Sequence, residues 1–301
     1  MIRILGTTFA GLLGLAFGSF LNVCLSRWPA GESVVAPRSH CRSCEHVLAW
    51  WENIPLVSWL FLRGRCRSCR TSISWRYPLV EASVGVLWAI DTWKFTFGIH
   101  YLGLSWVALL VLIVGFLGPF TFLWLLVALA ALDAENFWLP DRLILPGILG
   151  GVFVAALDRY FFEGTINGPV TFANFFLLPF MQNFWRDRFL EILAAAGIIL
   201  IIRWLYKLIR HREGLGLGDA KLMALLAAWL GLPGALLAFA LGAILGAFAG
   251  LALLAVPSAR TNSQSWATSK LPLGTFLCIG GVVSSLWGQP IIAAYLRWAG
   301  F

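Results

Sequence analysis

The chain has 301 residues, of which 60% are apolar and 12% are charged, and its mean hydropathy is +0.83. Soluble domains carry roughly a quarter charged residues, so this composition excludes an ordinary soluble protein and predicts an all-α, polytopic membrane protein embedded in a lipid bilayer. The formal net charge of +8 is typical of the cytoplasmic loops of membrane proteins. We therefore expect no nucleic-acid partner.

Apolar segments follow one another along the chain, each long enough or nearly long enough to cross a hydrocarbon core. The third is overlong and contains Gly118-Pro119, which predicts a kink or a division into two short helices. The sixth is short for a full crossing. We expect about eight transmembrane helices, at 4–24, 78–98, 105–132, 142–160, 189–207, 220–232, 235–256 and 274–296.

The loop 25–77 contains eight arginines, and cytoplasmic loops are enriched in Lys and Arg. This loop is therefore expected on the cytoplasmic side. With eight crossings, both termini then lie on the periplasmic side. The predicted organisation is a first transmembrane helix at 1–24, a cytoplasmic cysteine-containing subdomain at 25–77 and a seven-helix membrane core at 78–301.

Two C-x-x-C pairs lie in this loop, Cys41 with Cys44 and Cys66 with Cys69, and 21 residues separate the pairs. Pairs of this kind suit tetrahedral Zn²⁺, because each tight turn offers two thiolates and four sulfurs complete the coordination. Stable disulfides are rare in the cytoplasm, so we do not expect these cysteines to form them. A redox pair and an iron–sulfur site remain as alternatives to zinc. A closed four-sulfur site leaves no position for water, so the zinc is expected to be structural.

Two aspartates lie at the ends of apolar segments, where an ionisable side chain is a functional candidate by default. Asp133 ends the third segment and Asp219 begins the sixth. On the predicted topology both are at cytoplasmic helix ends, at similar depth. Two carboxylates a few ångströms apart cannot both ionise easily and share one proton. Such a dyad can hydrolyse a peptide bond with water and without a covalent intermediate.

Each aspartate also has a purely structural interpretation. Asp219 could be only a helix N-cap, since Asp is a preferred cap residue, and Asp133 could mark the membrane boundary. The glycines before Asp219, at 214, 216 and 218, favour the functional interpretation. Bare backbone there permits positive φ and the close approach of an extended peptide, which a simple cap does not require.

Other acidic residues compete for these roles. Glu135, two residues beyond Asp133, is a candidate for substrate binding or for tuning the local charge. Asp141 directly precedes the fourth segment, where helix capping explains it. Glu81, one turn into the second segment, either pairs with an arginine such as Arg76 or contacts a cationic ligand.

Several longer motifs occur in a fixed order along the chain: GSFLNVCLSRWP (18–29), the two C-x-x-C pairs, WENIPLVSWL (51–60), RYPLVE (76–81), LDAENFWLPD (132–141), GLGLGDAKL (214–222) and LPLGTFL (271–277). With these motifs the chain resembles, nearly end to end, the bacterial type IV prepilin peptidases. These are GxGD aspartic proteases, also called type 4 prepilin leader peptidase/N-methyltransferases. The segment between RYPLVE and Asp133 is longer than usual in that family, and Glu135 stands where many relatives have Asp.

The resemblance implies that Asp133 and Asp219 are the catalytic aspartates and that the four loop cysteines bind zinc. It implies cleavage, in the bacterial inner membrane, of a short basic leader from prepilins and type II secretion pseudopilins. Cleavage would follow a glycine, at a site on the cytoplasmic side, where Gly216 and Gly218 are expected to contact the substrate.

Methylation of the new N-terminal residue, with S-adenosylmethionine as donor, is the second activity that the resemblance implies. The chain contains no glycine-rich nucleotide fingerprint of the Rossmann kind. We therefore expect the donor at the polar N-terminal loop, near Glu81. A peptidase without methyl transfer, a non-enzymatic pilus assembly factor and an ion-coupled transporter are the alternatives. A transporter is expected to have acids near the midplane, broken helices and repeated halves, and none of these is apparent in the sequence.

Overall fold

The structure is a computed structural model, and it describes residues 1–95, 106–167, 179–211, 216–255 and 271–300. Within these ranges all long elements are α-helices, as predicted. A short 3-10 helix, Trp50–Asn53, lies in the cysteine-containing loop. The α-helices are α1 (Ile2–Arg27), α2 (Val57–Phe61), α3 (Arg76–Phe95), α4 (Trp106–Asn136), α5 (Asp141–Asn167), α6 (Pro179–Arg210), α7 (Leu217–Ala255) and α8 (Leu273–Ala299).

Six helices in the described ranges contain a segment long and apolar enough to cross a membrane. The prediction of a multi-pass membrane protein is thereby confirmed, whereas the count of eight crossings is not. The second predicted segment runs into residues 96–105, which lie outside the described residues. The six segments are Arg3–Arg27, Val114–Asn136, Asp141–Tyr160, Asn183–Arg210, Leu217–Ala252 and Leu273–Ala299.

Helix α4 settles the path of the overlong third segment. It runs as one helix from Trp106 to Asn136 with Pro119 inside it, so the alternative of two short helices is wrong.

Helix α7 contains a break at Gly231, whose φ of 72° and ψ of 173° are not helical. Glycine adopts this backbone without the steric cost that a side chain would add. The break lies where the predicted sixth and seventh segments meet. Close to it, the guanidinium of Arg188 on α6 donates to the Ala227 carbonyl at 3.1 Å and pairs with Glu191 at 3.1 Å. An ion pair on α6 thus supports the backbone of α7 next to its break.

The chain packs as two compact units. Unit 1 comprises Met1–Ser105 and Pro119–Ala131, and unit 2 comprises Trp106–Gly118 and Leu132–Phe301. The two units are defined by which residues pack together in space, whereas the predicted domains 1–24, 25–77 and 78–301 are consecutive stretches of the chain. The predicted domain division therefore stays a prediction.

Unit 1 is built on close contact between α1 and α3. A Cβ at Gly14 would lie 2.9 Å from the Gly85 Cα, and a Cβ at Gly18 would lie 2.7 Å from the Glu81 Cα. Small residues allow two membrane helices to approach this closely. The contact holds the backbone of Glu81 directly against α1.

Unit 2 contains a similar contact between α7 and α8. A Cβ at Gly242 would lie 3.0 Å from the Leu277 Cα, and Gly280 packs directly on the Ala238 carbonyl. The Ser284 hydroxyl adds a hydrogen bond of 2.8 Å to the Gly234 carbonyl. These contacts fix the first turns of α8, on which the aspartate site depends.

Candidate aspartate site and cysteine cluster

Asp133 lies near the end of α4 and is buried. Its Oδ2 accepts a hydrogen bond from the Thr275 backbone N–H at 2.7 Å and lies 3.2 Å from the Thr275 hydroxyl. Thr275 is in the first turn of α8, where backbone N–H groups have no partner within their own helix. The carboxylate therefore lies at the positive end of the α8 dipole, which favours a negative charge.

Gly274 makes this approach possible. A Cβ at position 274 would lie 2.9 Å from both Cγ and Oδ2 of Asp133, which is closer than carbon atoms pack. Any side chain there would displace the carboxylate or the start of α8. Glycine at this position thus has a packing role that its neighbours in the sequence do not reveal.

Asp219 is the third residue of α7 and is also buried. Its Oδ2 accepts a hydrogen bond from the Gly216 backbone N–H at 3.0 Å. It therefore bonds back to the residue that precedes the helix, in the manner of the third helical residue of a capping box. The expected N-cap role is corrected in position: Asp219 lies inside the first turn and does not precede it.

Unit 2 brings the two aspartates together. Leu139 packs on both helix starts, since Cβ atoms at Gly218 and at Gly274 would each lie 3.1 Å from its Cδ1. The carboxylates of Asp133 and Asp219 are close enough to interact electrostatically. The end of α4 and the starts of α7 and α8 thus form one site with two acidic groups.

Two of the glycines before Asp219, Gly216 and Gly218, lie within the described residues. Neither Gly216 nor Gly218 has a positive φ, so left-handed backbone does not explain them. Gly218 is needed for packing on Leu139, whereas Gly216 is exposed. Gly214 lies outside the described residues. Glu135 is exposed on the last turn of α4, two residues beyond Asp133.

An ion pair near the site was not predicted. Asp141, the first residue of α5, accepts from the Lys221 ammonium at 2.6 Å. Both side chains are about half exposed. Lys221 follows Asp219 by two residues, so the pair joins the starts of α5 and α7 beside the aspartate site. Helix capping, the role expected for Asp141, does not include this contact.

The four loop cysteines form a cluster in unit 1, and their sulfur atoms all lie within 4.8 Å of one another. The Sγ–Sγ distances are 3.8 Å between Cys41 and Cys69 and 4.0 Å between Cys44 and Cys66. Tetrahedral zinc with Zn–S bonds of about 2.3 Å requires sulfur atoms about 3.8 Å apart. The donor set and its spacing therefore fit a metal ion such as zinc.

Each cysteine pair is folded as the same small knuckle. Cys41 N–H donates to the His46 carbonyl at 2.9 Å, and Cys66 N–H donates to the Thr71 carbonyl at 2.8 Å. The residue after the second cysteine of each pair has a positive φ, 58° at Glu45 and 59° at Arg70. The repeated sequence Cys-Arg-Ser-Cys thus produces two equivalent turns facing one another.

Hydrogen bonds prepare one thiol of the cluster for metal binding. The Thr71 hydroxyl lies 3.2 Å from the Cys69 sulfur, and its hydrogen bond, with that of the Thr71 backbone, lowers the pKa of the Cys69 thiol to about 6. The thiolate is the form that binds a metal.

Glu52 connects the 3-10 helix to the first knuckle. Its side chain is fully buried, and its Oε2 accepts from the Ala49 N–H at 2.8 Å and lies 3.2 Å from His46 Nε2. These hydrogen bonds, that of Ala49 above all, lower the pKa of Glu52. His46 therefore lies beside the cluster without belonging to it.

Glu81 on α3 is buried, and its Oε2 accepts from the Leu56 N–H at 2.8 Å. Ser19 and Asn22 on α1 lie near it. Arg76, the arginine considered as a partner of Glu81, donates to the Ser26 hydroxyl at 2.9 Å. Glu81 thus faces the space between α1 and the loop.

Comparison with protein families gives two matches. The Bacterial Peptidase A24 N-terminal domain matches residues 12–95, which include the cysteine cluster and Glu81. The Type IV leader peptidase family matches residues 120–251, which include Asp133 and Asp219. No solved structure matches the chain with comparable significance.

Curated relatives that carry the name prepilin leader peptidase/N-methyltransferase match almost the whole chain. The relative from Stutzerimonas stutzeri is 33% identical over 313 residues, 96% of this chain and 93% of its own length. That from Pseudomonas aeruginosa is 33% identical over 319 residues, with the same coverage. That from Pseudomonas putida is 34% identical over 316 residues, 98% of this chain and 95% of its own length. With both matches and this coverage, the chain belongs to the type IV leader peptidase family.

Proposed function

We propose that this protein is a membrane aspartic endopeptidase that removes the short basic leader of type IV prepilins and/or type II secretion pseudopilins, after a glycine, and then N-methylates the new N-terminal residue. The observation that carries the proposal is the pairing of Asp133 and Asp219. Both are buried, both accept hydrogen bonds from backbone at a helix start, and their charges interact. Membership of the family supports the same activity.

Hydrolysis by this pair requires one shared proton. As water attacks the scissile carbonyl carbon, the ionised carboxylate takes a proton from the water and the protonated one donates to the carbonyl oxygen. The resulting gem-diol collapses, the C–N bond breaks and a proton passes to the leaving amine. The dyad ends with one proton again, ready for another turnover.

The hydrogen bonds suggest how the carboxylates are oriented for this chemistry. Thr275 and Gly216 both bond to Oδ2, in Asp133 and Asp219 respectively. We assign Oδ1 of each aspartate to water and substrate. Fixing one oxygen through backbone N–H groups holds the other in a constant direction, which limits the reorganisation needed in the transition state.

The apolar and charged segments of the substrate determine where it lies in the membrane. Its apolar helix remains in the bilayer and its basic leader in the cytoplasm, so the scissile bond lies at the membrane surface. On the predicted orientation, with both termini periplasmic, the aspartate site lies at that surface of the inner membrane. Glu135, exposed near Asp133, attracts the basic leader, and the exposed Gly216 leaves room for the peptide beside Asp219.

The cysteine-containing loop serves the second activity. Cys41, Cys44, Cys66 and Cys69 would hold zinc, which cross-links the two knuckles and has no open position for catalysis. S-adenosylmethionine supplies the methyl group when bound. We assign methyl transfer to the loop 25–77 and its surroundings, and peptide cleavage to the core 78–301.

Substitution of the aspartates tests the proposal. In membranes containing the full-length protein, Asp133→Asn and Asp219→Asn are each expected to reduce prepilin cleavage by about three orders of magnitude or more. Asp187→Asn is the matched control, because Asp187 is an exposed aspartate of α6 paired only with its neighbour Arg186 in the described contacts. Substantial cleavage by either dyad variant would remove that residue from the mechanism.

Methylation provides the check on folding. A synthetic pre-cleaved pilin peptide bypasses the dyad, so both Asn variants are expected to methylate it at the wild-type rate. Loss of both methylation and cleavage would instead indicate a misfolded protein. The loss of cleavage would then not support a catalytic role for the two aspartates.

A further inference from the structure

A cavity of about 610 Å³ lies in unit 1 between α1, α3 and the cysteine-containing loop. Its volume is within the range of about 300–1,000 Å³ found for small-molecule sites. The cavity lies in the other compact unit from the aspartates, so peptide hydrolysis does not use it. Residues that line it include Asn22, Glu52, Tyr77, Glu81, Cys41 and Cys66.

Two residues that line this cavity carry a buried acceptor oxygen with no donor among the described residues. The Glu52 side chain is fully buried, and its Oε1 has no hydrogen-bond partner among the described residues. Asn22 is 2% exposed, and its Nδ2 donates to the Tyr77 carbonyl at 2.9 Å while its Oδ1 likewise has no partner in the described part of the chain. Buried acceptors are nearly always paired, so these two atoms indicate a ligand that brings donors.

The charge of the cavity favours a cation. The pKa of Glu52 is below its ordinary value because Ala49 N–H and His46 hydrogen-bond to it, so Glu52 is ionised at neutral pH. Glu81 adds a second buried carboxyl group to the same wall.

The arginines of the cavity are engaged elsewhere. Arg27 donates to the Ser33 carbonyl at 2.8 Å and to the Pro37 carbonyl, and Arg42 donates to the Ser26 carbonyl at 2.9 Å. Arg67 lies over the Trp51 ring, 4.7 Å from its centroid, and its attraction is the weakest of those acting on Glu52. None of these three guanidinium groups makes an ion pair with Glu52 within the described residues.

We propose that this cavity binds the methyl donor S-adenosylmethionine, with Glu52, Glu81 and Asn22 recognising its positive charge and its N–H and O–H donors. This assignment rests on the proposed methyl transfer, and it extends the expectation for Glu81 to a defined site with two further residues. The ligand carries an ammonium group, a sulfonium charge, one carboxylate, ribose hydroxyls and an amine on its base, and its net charge at neutral pH is +1. A site made of carboxylates and an amide oxygen complements such a molecule.

The zinc cluster forms part of the same wall, because Cys41 and Cys66 line the cavity. Ordering of the two knuckles by the metal is therefore a condition for the complete site. The donor then binds next to, and not at, the metal.

Equilibrium dialysis with radiolabelled S-adenosylmethionine, on the zinc-loaded full-length protein in detergent, tests the proposal. Glu52→Gln is expected to weaken binding about tenfold or more, because it removes a buried charged partner and keeps the side-chain shape. Glu81→Gln and Asn22→Ala are expected to weaken it several-fold. Glu32→Gln is the matched control, since Glu32 also lines the cavity but is exposed, and it should bind as the wild type does.

Prepilin cleavage and zinc content are measured on the same samples. Both are expected to be unchanged in every variant. If Glu52→Gln loses zinc, the cavity assignment is tested by Asn22→Ala on α1 and Glu81→Gln on α3, because these residues are outside the knuckles. Wild-type affinity in these variants would mean that water alone fills the cavity and would overturn the assignment.

The outcomes also separate this inference from the proposed function. A wild-type protein that cleaves prepilin but neither binds the donor nor methylates would contradict the proposed methyl transfer, and the cavity assignment with it. A wild-type protein that methylates, with all three variants binding the donor normally, would contradict the cavity assignment alone.

Discussion

The cysteine cluster and the aspartate site are assembled in opposite ways. Cys41 and Cys69, whose sulfurs are in contact, are 28 positions apart in the chain. Asp133 and Thr275 are 142 positions apart. The cluster is made from two copies of one local turn, whereas the aspartate site exists only where three helix ends meet. A local site can be recognised from residue spacing, and a site made of helix ends cannot.

The two sites also differ in what neutralises their charge. The four sulfur atoms are close enough together to hold a metal cation, which would neutralise their thiolate charge. The two carboxylates are held by backbone N–H groups at the starts of α7 and α8. Metal removal should therefore disable one site, and a small backbone or side-chain change at a helix start should disable the other.

Loss of the metal is expected to have the largest effect, and only in unit 1. In Cys66→Ser, whose cysteine is buried, zinc binding is expected to fail, since structural zinc is worth about 10–16 kcal/mol in small domains. Donor binding should fall below detection, and amide hydrogens of the knuckles should exchange freely. Prepilin cleavage should stay within about twofold of the wild type. Zinc analysis, hydrogen exchange and a cleavage assay measure these quantities.

Cys24→Ser is the matched control for that experiment. Cys24 is buried like Cys66 but lies on α1, outside the cluster, so zinc content and donor binding should be retained. A cleavage rate that falls in proportion to zinc content in Cys66→Ser would show that the aspartate site depends on the metal too, and the contrast between the sites would fail.

A methyl group at position 274 is expected to have the second largest effect. In Gly274→Ala the new Cβ would meet the Asp133 carboxylate at 2.9 Å, so the carboxylate must shift and its bonds to Thr275 must lengthen. Displacements of this size can reduce turnover about 100-fold. Steady-state cleavage measures the loss, while zinc content and donor binding should be unchanged.

Gly197→Ala, on α6, is the control for Gly274→Ala. Apart from its chain neighbours and its own helix backbone, no atom of the described residues lies within 4 Å of a Cβ at that position, so the same substitution meets no neighbour there and cleavage should be unaffected. Equal rates for the two variants would mean that the aspartate tolerates the shift, and the proposed role of Gly274 would be wrong.

The cysteine cluster could be predicted from the sequence in detail, and the aspartate site only in part. The spacing of the cysteines was sufficient for the four-sulfur cluster, because each C-x-x-C turn has one geometry. Asp133 and Asp219 were selected because a carboxylate in an apolar segment requires an explanation, and the structure brings them into one site. The unsatisfied oxygens of Glu52 and Asn22 could not be predicted, since burial of a single atom depends on the packing around it.

Other features depended on contacts between distant helices. Nothing near Thr275 in the sequence indicates that its N–H meets Asp133, and nothing near Asp141 indicates Lys221. The predicted number of crossings depended on α7. Its hydropathy predicts two separate segments, whereas the structure has one helix with a break at Gly231. The glycines before Asp219 permit a positive φ, but Gly216 and Gly218 do not adopt one. Packing on Leu139 accounts for Gly218.

The smallest effect is expected from the Thr275 hydroxyl. Thr275→Val keeps the side-chain shape and the backbone N–H that donates at 2.7 Å, and removes only the hydroxyl contact of 3.2 Å. A hydrogen bond to a charged group contributes about 1.5–3 kcal/mol. Since this one is long and the N–H bond remains, we expect a decrease of about tenfold in kcat.

Thr275→Ser separates positioning from packing. Serine restores the hydroxyl without the methyl group, so its kcat should approach the wild-type value, and KM should change little in either variant because Thr275 contacts the aspartate and not the substrate. A raised KM with kcat unchanged would place Thr275 at the substrate. Equal kcat for the valine and serine variants would mean that the backbone N–H alone orients Asp133. The start of α8, and not the Thr275 side chain, would then hold the carboxylate in position.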